Sequence, residues 1–140
     1  MNMATNYKKI FEDTHTIVVI GASANKYRTS YHIASYLKEN GFRIIPVNPK
    51  YDEVLGIECY DELNEIPDKY SVDIIDIFRN SDYSAEMVNQ IINWSEEKEE
   101  KPIIWTQLDV SSEEAEKLAE EADYQYVKNE CMMVKHEELS

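Results

Sequence analysis

Short apolar runs alternate along the chain with segments in which apolar residues recur at helical spacing. Five runs have strand character, and four of them are short and nearly all apolar, as in strands that helices cover on both faces. The runs span residues 16–20, 43–48, 72–79, 102–107 and, with a weaker pattern, 124–128. This alternation predicts an α/β fold: a Rossmann-like, five-stranded, mostly parallel sheet with helices on both faces and strand order 3-2-1-4-5.

The segment after the first run has clear signals for both ends of a helix. The helix is expected to begin at Thr29 or Ser30 and to end at Asn40. Gly41 can then supply the left-handed position that often follows a helix. A further helix is predicted near the N-terminus, over residues 7–13.

Polar residues after the third and fourth runs indicate where two more helices start. Ser81 or Asp82 can cap the helix after the third run, and Ser111 with Glu114 matches a capping box. Both positions are followed by apolar residues at spacings of three and four, which predicts amphipathic helices that cover the sheet.

The length of 140 residues suits one folding unit. We therefore expect a single domain over residues 1–140, with residues 1–15 forming a helical extension at its N-terminus. The long connection over residues 49–70 is expected to hold one short helix, near residues 61–64.

The charge balance excludes two classes of partner. With 28 acidic and 14 basic residues, the formal net charge is -14, so nucleic acid and an anionic membrane surface would be repelled. No apolar run approaches the roughly 20 residues of a membrane span, and no signal-peptide core is present. Cys59 and Cys131 form no CxxC motif, which fits a reducing compartment. These features predict a soluble cytoplasmic protein.

Polar and cationic residues follow the first four predicted strands. Ligands of open parallel sheets bind beyond the carboxyl ends of the strands, and four cations fall at three of these four ends. Such a placement in an acidic chain predicts a site for a multiply charged anion, whose phosphates could also use the amides of the first helix. The residues at these ends are Gly21, Ala22, Ser23, Lys26 and Arg28; Asn48, Pro49 and Lys50; Phe78, Arg79 and Asn80; and Thr106, Gln107 and Leu108.

The first turn departs from the usual NAD-binding pattern. It has one glycine, Gly21, where a dinucleotide-binding turn commonly has three, and no acidic residue closes the second strand to hold ribose hydroxyls. Lys50 stands there instead and favours a ribose phosphate, as in NADP or coenzyme A. A turn with surface lysines and no ligand also fits these residues.

Several linked motifs resemble the small stand-alone CoA-binding proteins. These proteins in turn are similar to the CoA-binding domain of the succinyl-CoA synthetase α subunit and of acyl-CoA synthetases. The resemblance covers about residues 16–139. The motifs are GAS at 21–23, the R-x-S of Arg28 and Ser30, YLKENGFRIIPVNPK at 36–50, LG at 55–56 and DIIDIFRNS at 73–81.

The resemblance implies three groups of contacts with coenzyme A or an acyl-CoA. The first turn would hold the pyrophosphate, the end of the second strand would hold the 3′-phosphate and ribose, and the remaining residues would line the rest of the cleft. In this order the groups are Gly21, Ala22, Ser23, Arg28 and Ser30; Asn48, Pro49 and Lys50; and Phe78, Arg79, Thr106, Gln107 and Leu108.

The chain departs from the family pattern at two positions. Asp109 stands after WTQL where the family often has glycine, which questions the backbone of that loop. Lys135 replaces the acidic residue that usually precedes the histidine of the closing Cys…His segment, here His136. The chain has no phosphohistidine segment or ATP-grasp domain, so the resemblance does not extend to ligase chemistry.

The sequence gives little support for catalysis. Ser23 lies outside a GxSxG elbow, and the three histidines show no spacing typical of a metal site or a triad. Cys131 resembles a family cysteine and could exchange with the thiol of CoA, although an isolated cysteine more often packs as a small apolar side chain.

Three hypotheses of function remain open. The first is a binding module that holds coenzyme A or an acyl-CoA non-covalently, without catalytic or metal-binding residues. The second is an NADP-binding, reductase-like enzyme, although 140 residues leave little room for a substrate domain. The third is a CoA-sensing regulatory subunit. A homodimer and an unidentified protein partner fit the sequence equally well.

Overall fold

A computed structural model describes residues 5–139. It contains seven strands and five helices, together with single turns of 3-10 helix at Leu63–Glu65 and Ser81–Tyr83. The strands are β1 Thr16–Ile20, β2 Arg43–Val47, β3 Glu53–Val54, β4 Ile57–Glu58, β5 Ile74–Ile77, β6 Ile103–Thr106 and β7 Tyr126–Val127. The helices are α1 Tyr7–Asp13, α2 Thr29–Glu39, α3 Ser84–Glu97, α4 Glu113–Glu121 and α5 Met132–Glu137.

Five parallel strands form the main sheet, as predicted, in the order β2-β1-β5-β6-β7. Counted along the chain, this order is 2-1-3-4-5, so the expected 3-2-1-4-5 is wrong. The expected order placed β2 in the interior, but β2 contains Pro46, which has no N–H and belongs at a sheet edge. By contrast, every residue of β5 is buried, so this strand takes a central place.

Helices cover both faces of the sheet. Alternating residues of the strands meet α3 and α4 on one face, where Ile75 and Ile77 pack with Val88 and Ile91. The intervening residues meet α1, α2 and α5 on the other face, in a second cluster that includes Ile74 and Trp105. The two apolar layers make the sheet the middle of a three-layer structure.

The N-terminal helix is part of this second layer. Ile10 and Phe11 of α1 are buried in it. The ring of Phe11 meets Trp105 of β6 and His136 of α5 in tilted and edge-on contacts. The predicted helix over residues 7–13 is therefore confirmed, and its apolar side contributes to the core.

The connection from β2 to β5 differs from the expected single helix. It begins with a hairpin of β3 and β4, joined by a two-residue turn at Leu55 and Gly56 in which both residues have positive φ. The helix expected near residues 61–64 is reduced to the 3-10 turn at Leu63–Glu65. The apolar residues of this segment are too few to predict a longer helix.

The predicted ends of α2 are correct, whereas the residues predicted to cap α3 and α4 are not. α2 starts at Thr29 and ends before Asn40, as predicted. Asn80, not Ser81 or Asp82, caps the 3-10 turn that precedes α3. The N-cap of α4 is Ser112, whose hydroxyl accepts a hydrogen bond from Ala115, so the capping box at Ser111 is wrong. The short helix α5 was not predicted from the sequence.

Membrane insertion has no candidate segment in the described part of the chain. None of the helices within residues 5–139 combines the length and the apolar character needed to cross a bilayer.

Gly21 lies at the point where the chain leaves β1 and passes the end of β5. Its φ is +85°, and a Cβ atom there would lie 2.2 Å from the carbonyl oxygen of Phe78. Gly41 has a similar φ of +94°, but a Cβ atom added to it would meet no atom within 4 Å. An alanine at position 41 would therefore have only the cost of a left-handed backbone, whereas an alanine at position 21 would also clash with Phe78.

We expect Gly41→Ala to lower the free energy of unfolding by about 1 kcal/mol, the cost of a left-handed alanine. Gly21→Ala should cost roughly 1–3 kcal/mol more, because the clash with Phe78 forces β1 and β5 apart. Urea denaturation of both variants measures the difference. Equal losses would show that the turn after β1 can move away from Phe78 without strain.

Candidate functional site

The strand order fixes where the sheet offers a cleft. The chain turns to β2 on one side of β1 and later returns to β5 on the other side, so the order reverses between β1 and β5. Connections leave in opposite directions at such a point and open a crevice at the carboxyl ends of the strands. A cleft of about 640 Å³ lies there.

Ten of the thirteen predicted site residues line this cleft. They come from the ends of β1, β2, β5 and β6 and from the start of α2, as the parallel arrangement requires. These residues are Gly21, Ser23, Arg28, Ser30, Asn48, Lys50, Phe78, Arg79, Gln107 and Leu108. The structure thus brings together residues that lie up to 87 positions apart in the sequence.

The other three predicted residues lie outside the described lining of the cleft. Ala22 is completely buried and packs in the second apolar layer. Pro49 contributes to a separate depression, with Leu63 and Met87. Thr106 is also completely buried, and its hydroxyl donates to the carbonyl of Val127 at 2.8 Å. The resemblance implies a contact with the ligand at each of these three positions, and such a contact stays a prediction.

The turn after β1 is fixed by its own side chains. The hydroxyl of Ser23 accepts a hydrogen bond from the amide of Asn25 at 3.0 Å and lies 3.3 Å from the hydroxyl of Tyr51. Within the described helix α2, the first turn contains no acidic residue, and no side chain caps its amides. The amide end of α2 therefore faces the cleft region with the partial positive charge that favours an anion.

Asn48 connects the ends of β1 and β2. Its side-chain Nδ2 donates to the carbonyl of Ala22 at 2.8 Å, and its Oδ1 accepts a hydrogen bond from the amide of Lys50 at 3.0 Å. Both ends of the Asn48 amide are thus used within the protein, and Lys50 is held beside the turn that follows β1.

Three cationic side chains line the cleft: Arg28, Lys50 and Arg79. They follow three different strands, and the guanidinium of Arg79 also lies 5.9 Å from the ring centre of Tyr83. Lys26, which the sequence placed near them, is not among the described lining residues. In a chain with a net charge of -14, this grouping gives the cleft a local charge opposite to that of the whole molecule.

The loop after β6 supplies the opposite wall. Asp109 has a φ of +62°, the left-handed conformation that glycine favours and that aspartate tolerates. The aspartate therefore keeps a backbone that suits the glycine often found here in the resembling family. Among the described residues of the lining, Asp109 alone is acidic.

Gln107 and Asp76 form a buried pair at the base of this wall. The Nε2 atom of Gln107 donates to both carboxylate oxygens of Asp76, at 2.8 and 3.0 Å. Burial raises the pKa of Asp76 to about 8, and the hydrogen bond from Gln107 opposes that shift. Asp76 belongs to the motif at 73–81, but the sequence does not predict that it contributes to the site.

Five further lining residues were not predicted: Thr29, Ile33, Tyr51, Asp109 and Val110. Tyr51 follows Lys50 directly, and that position was a usable signal, but the tyrosine was expected to pack in the core. Ile33 lies one turn into α2 on the side that faces the sheet, so its apolar character did not distinguish it from core residues.

Cys131 also lines the cleft, where it forms the N-cap of α5 and is half-buried. Exchange between its thiol and that of CoA stays a prediction. Among residues 5–139, no group of three or more histidine, cysteine or acidic side chains is placed to hold a metal ion.

Comparison with known proteins adds independent information. The family described as "CoA binding domain" matches residues 15–137 of the chain. The protein from Bacillus subtilis (strain 168) named "Uncharacterized protein YneT" is 30% identical over 129 residues, which are 92% of this chain and 90% of that protein.

Larger proteins match over a shorter stretch. The ADP-forming acetate–CoA ligase of Methanocaldococcus jannaschii is 37% identical over 60 residues, which are 43% of this chain and 8% of the ligase. The chain therefore corresponds to a small fraction of the length of that enzyme.

The fold is shared with solved structures of similar size. A structure described as a hypothetical protein from Pyrococcus horikoshii OT3 has a TM-score of 0.84 and 34% identity, with 99% of both chains covered. The match of the family spans nearly all of the seven strands and five helices. By sequence and by fold, the chain belongs to the CoA binding domain family.

Proposed function

We propose that the chain binds coenzyme A or an acyl-CoA non-covalently at the carboxyl edge of the sheet. The observation that carries this proposal is the grouping of Arg28, Lys50 and Arg79 in one cleft. A ligand with a pyrophosphate and a ribose phosphate presents negative charge at two separated points, and cations from different strand ends match such a distribution.

The positions of the cations suggest how the ligand lies. The turn after β1 and the amide end of α2 would take the pyrophosphate, with Arg28 beside it. Lys50, held by Asn48 at the end of β2, would take the 3′-phosphate. The rest of the ligand would then pass between Phe78 and the loop of Gln107 and Leu108, which line the remaining length of the cleft.

Membership of the family supports this ligand class over NADP, which also has a ribose phosphate. The proposal contains no catalytic step, because the polar groups that it uses serve anion binding and scaffold hydrogen bonds, and exchange at the Cys131 thiol stays a separate prediction. Binding without chemistry is therefore the simplest function of these residues, and a role as a CoA-sensing partner of another protein is compatible with it.

We expect gentle purification of the full chain to retain a CoA ester or free CoA, which mass spectrometry of the released small molecules identifies. Calorimetric titration with CoA should give one site per chain. Recovery of NADP at one molecule per chain, with no CoA binding in the titration, would contradict the proposal.

Lys50 tests the assignment of the 3′-phosphate. A hydrogen bond to a charged group contributes roughly 1.5–3 kcal/mol, which corresponds to about a ten- to hundredfold change in affinity. Lys50 is exposed, so we expect the lower end of that range and a weaker effect at high salt. Lys50→Ala should weaken binding of CoA about tenfold while leaving 3′-dephospho-CoA nearly unchanged, as measured by calorimetry.

Lys26→Ala is the matched control, because it removes the same charge near the cleft from a residue outside the described lining. It should leave the preference for CoA over 3′-dephospho-CoA intact. If Lys50→Ala weakens both ligands equally, or if Lys26→Ala removes the preference, the assignment of the 3′-phosphate to Lys50 is wrong.

A further inference from the structure

Asp76 is a carboxyl group in the middle of an apolar layer. It is 0% exposed, and it shares a face of β5 with Ile74. Its neighbours in register are Val19 of β1 and Trp105 of β6, both completely buried. A carboxyl group in such surroundings is costly unless a partner satisfies its hydrogen bonds.

The partner is Gln107, which links this layer to the cleft. The backbone fixes the position of Gln107, since its amide donates to the carbonyl of Ile77 and its carbonyl accepts from Val110 at 3.1 Å. Its side-chain Nε2 is directed at Asp76. Within residues 5–139 its Oε1 accepts no hydrogen bond and is not one of the buried unpaired oxygens, and the residue, although only 4% exposed, lines the cleft.

The charge of Asp76 decides which end of the Gln107 amide points outward. A carboxylate can only accept hydrogen bonds, so it holds the Nε2 end and leaves the oxygen toward the cleft. A protonated carboxyl can donate to Oε1 instead, and then the amide can turn over and present its N–H groups. The pair therefore has two arrangements with opposite hydrogen-bonding character at the cleft wall.

We propose that Asp76 is a positioning residue: its carboxylate directs the amide oxygen of Gln107 into the cleft, where that oxygen accepts a hydrogen bond from an N–H group on the uncharged arm of the ligand. This inference rests on the proposed function, because the arm of CoA between pyrophosphate and thiol contains secondary amides. Adenosine 3′,5′-bisphosphate has the same ribose phosphate and no such arm.

The surroundings of Asp76 make this arrangement sensitive to protonation. The titratable side chains in or against its layer are Tyr7 on α1, Tyr36 on α2, Tyr51 after β2, Cys59 after β4, and Cys131 and His136 at α5. The three cations and Asp109 line the cleft beyond Gln107. Burial raises the pKa of Asp76 to about 8, and the hydrogen bond from Gln107 opposes that shift.

The sign of the linkage follows from these two arrangements. A ligand N–H selects the form in which Asp76 is ionised, so binding lowers the pKa of Asp76 and releases a proton near neutral pH. The affinity for CoA should therefore rise with pH up to about 8, where the carboxyl of the free protein is itself ionised. A purely structural carboxyl group would add no such proton release.

The test is a double-mutant cycle with two ligands. Asp76→Asn and Gln107→Met each keep the approximate size of the side chain, and circular dichroism checks that they fold. We expect each variant to bind CoA about three- to tenfold more weakly, the effect of one neutral hydrogen bond. Adenosine 3′,5′-bisphosphate should bind all variants alike. The double variant should bind CoA no more weakly than Gln107→Met, because Asp76 acts through Gln107.

Calorimetry in two buffers with different ionisation enthalpies measures the proton released on CoA binding. We expect a release by the wild type at pH 7 that Asp76→Asn abolishes, a comparison that cancels protons from the ligand itself. If Asp76→Asn does not fold, Gln107→Met still tests the proposal, since it must also lose affinity for CoA alone.

Two results would overturn the inference. One is a loss of CoA affinity from Asp76→Asn that is as large in the Gln107→Met background as in the wild type. The other is a parallel loss for CoA and adenosine 3′,5′-bisphosphate. Failure of the wild type to bind either ligand is a distinct result, which would overturn the proposed function and this inference with it.

Discussion

The close approach of Gly21 to the carbonyl of Phe78 is the constraint on which the cleft depends. Parallel pairing brings the ends of β1 and β5 to the same level, and the chain must leave them in opposite directions. A side chain at position 21 would occupy the space where the two exits pass each other. With that space filled only by backbone, the turn after β1 stays against β5, and the polar residues of both strand ends share one cavity.

The fold also separates the acidic side chains of this small protein from a group of its basic side chains. Acidic residues gather outside the cleft in α4, where three of them occupy the first turn. The cations of the strand ends converge instead on the cleft. An approaching anion therefore meets an unfavourable average field and a favourable local one, which limits non-specific association more than it limits binding at the cleft.

Local patterns predicted the parts of the fold that depend on local physics. The apolar runs located all five strands of the main sheet, and Gly41 located the end of α2, because burial and left-handed backbone leave direct traces in the sequence. Strand order depends on which strands can lie at the edge of the sheet, and Pro46 was the one residue that indicated this, for β2. The pair of Asp76 and Gln107 was not predicted, because the sequence of an apolar run does not show whether an aspartate within it is buried or exposed.

Among the predicted site residues, most of those that lie shortly after a strand end line the cleft, and their binding of a ligand stays a prediction. Lys50 and Arg79 are examples, since parallel strands bring all their carboxyl ends to one edge. Ala22, Pro49 and Thr106 are not among the described residues that line the cleft, because sequence position does not say whether a side chain points into it or back into the protein. Asn48 shows a further consequence of such inward-facing contacts. Since both ends of its amide are occupied within the protein, the spacing between the first turn and the backbone of Lys50 is set when the chain folds. The backbone entropy of aligning these two segments is thus lost during folding, and an anion that binds there would have to order only the exposed side chain of Lys50.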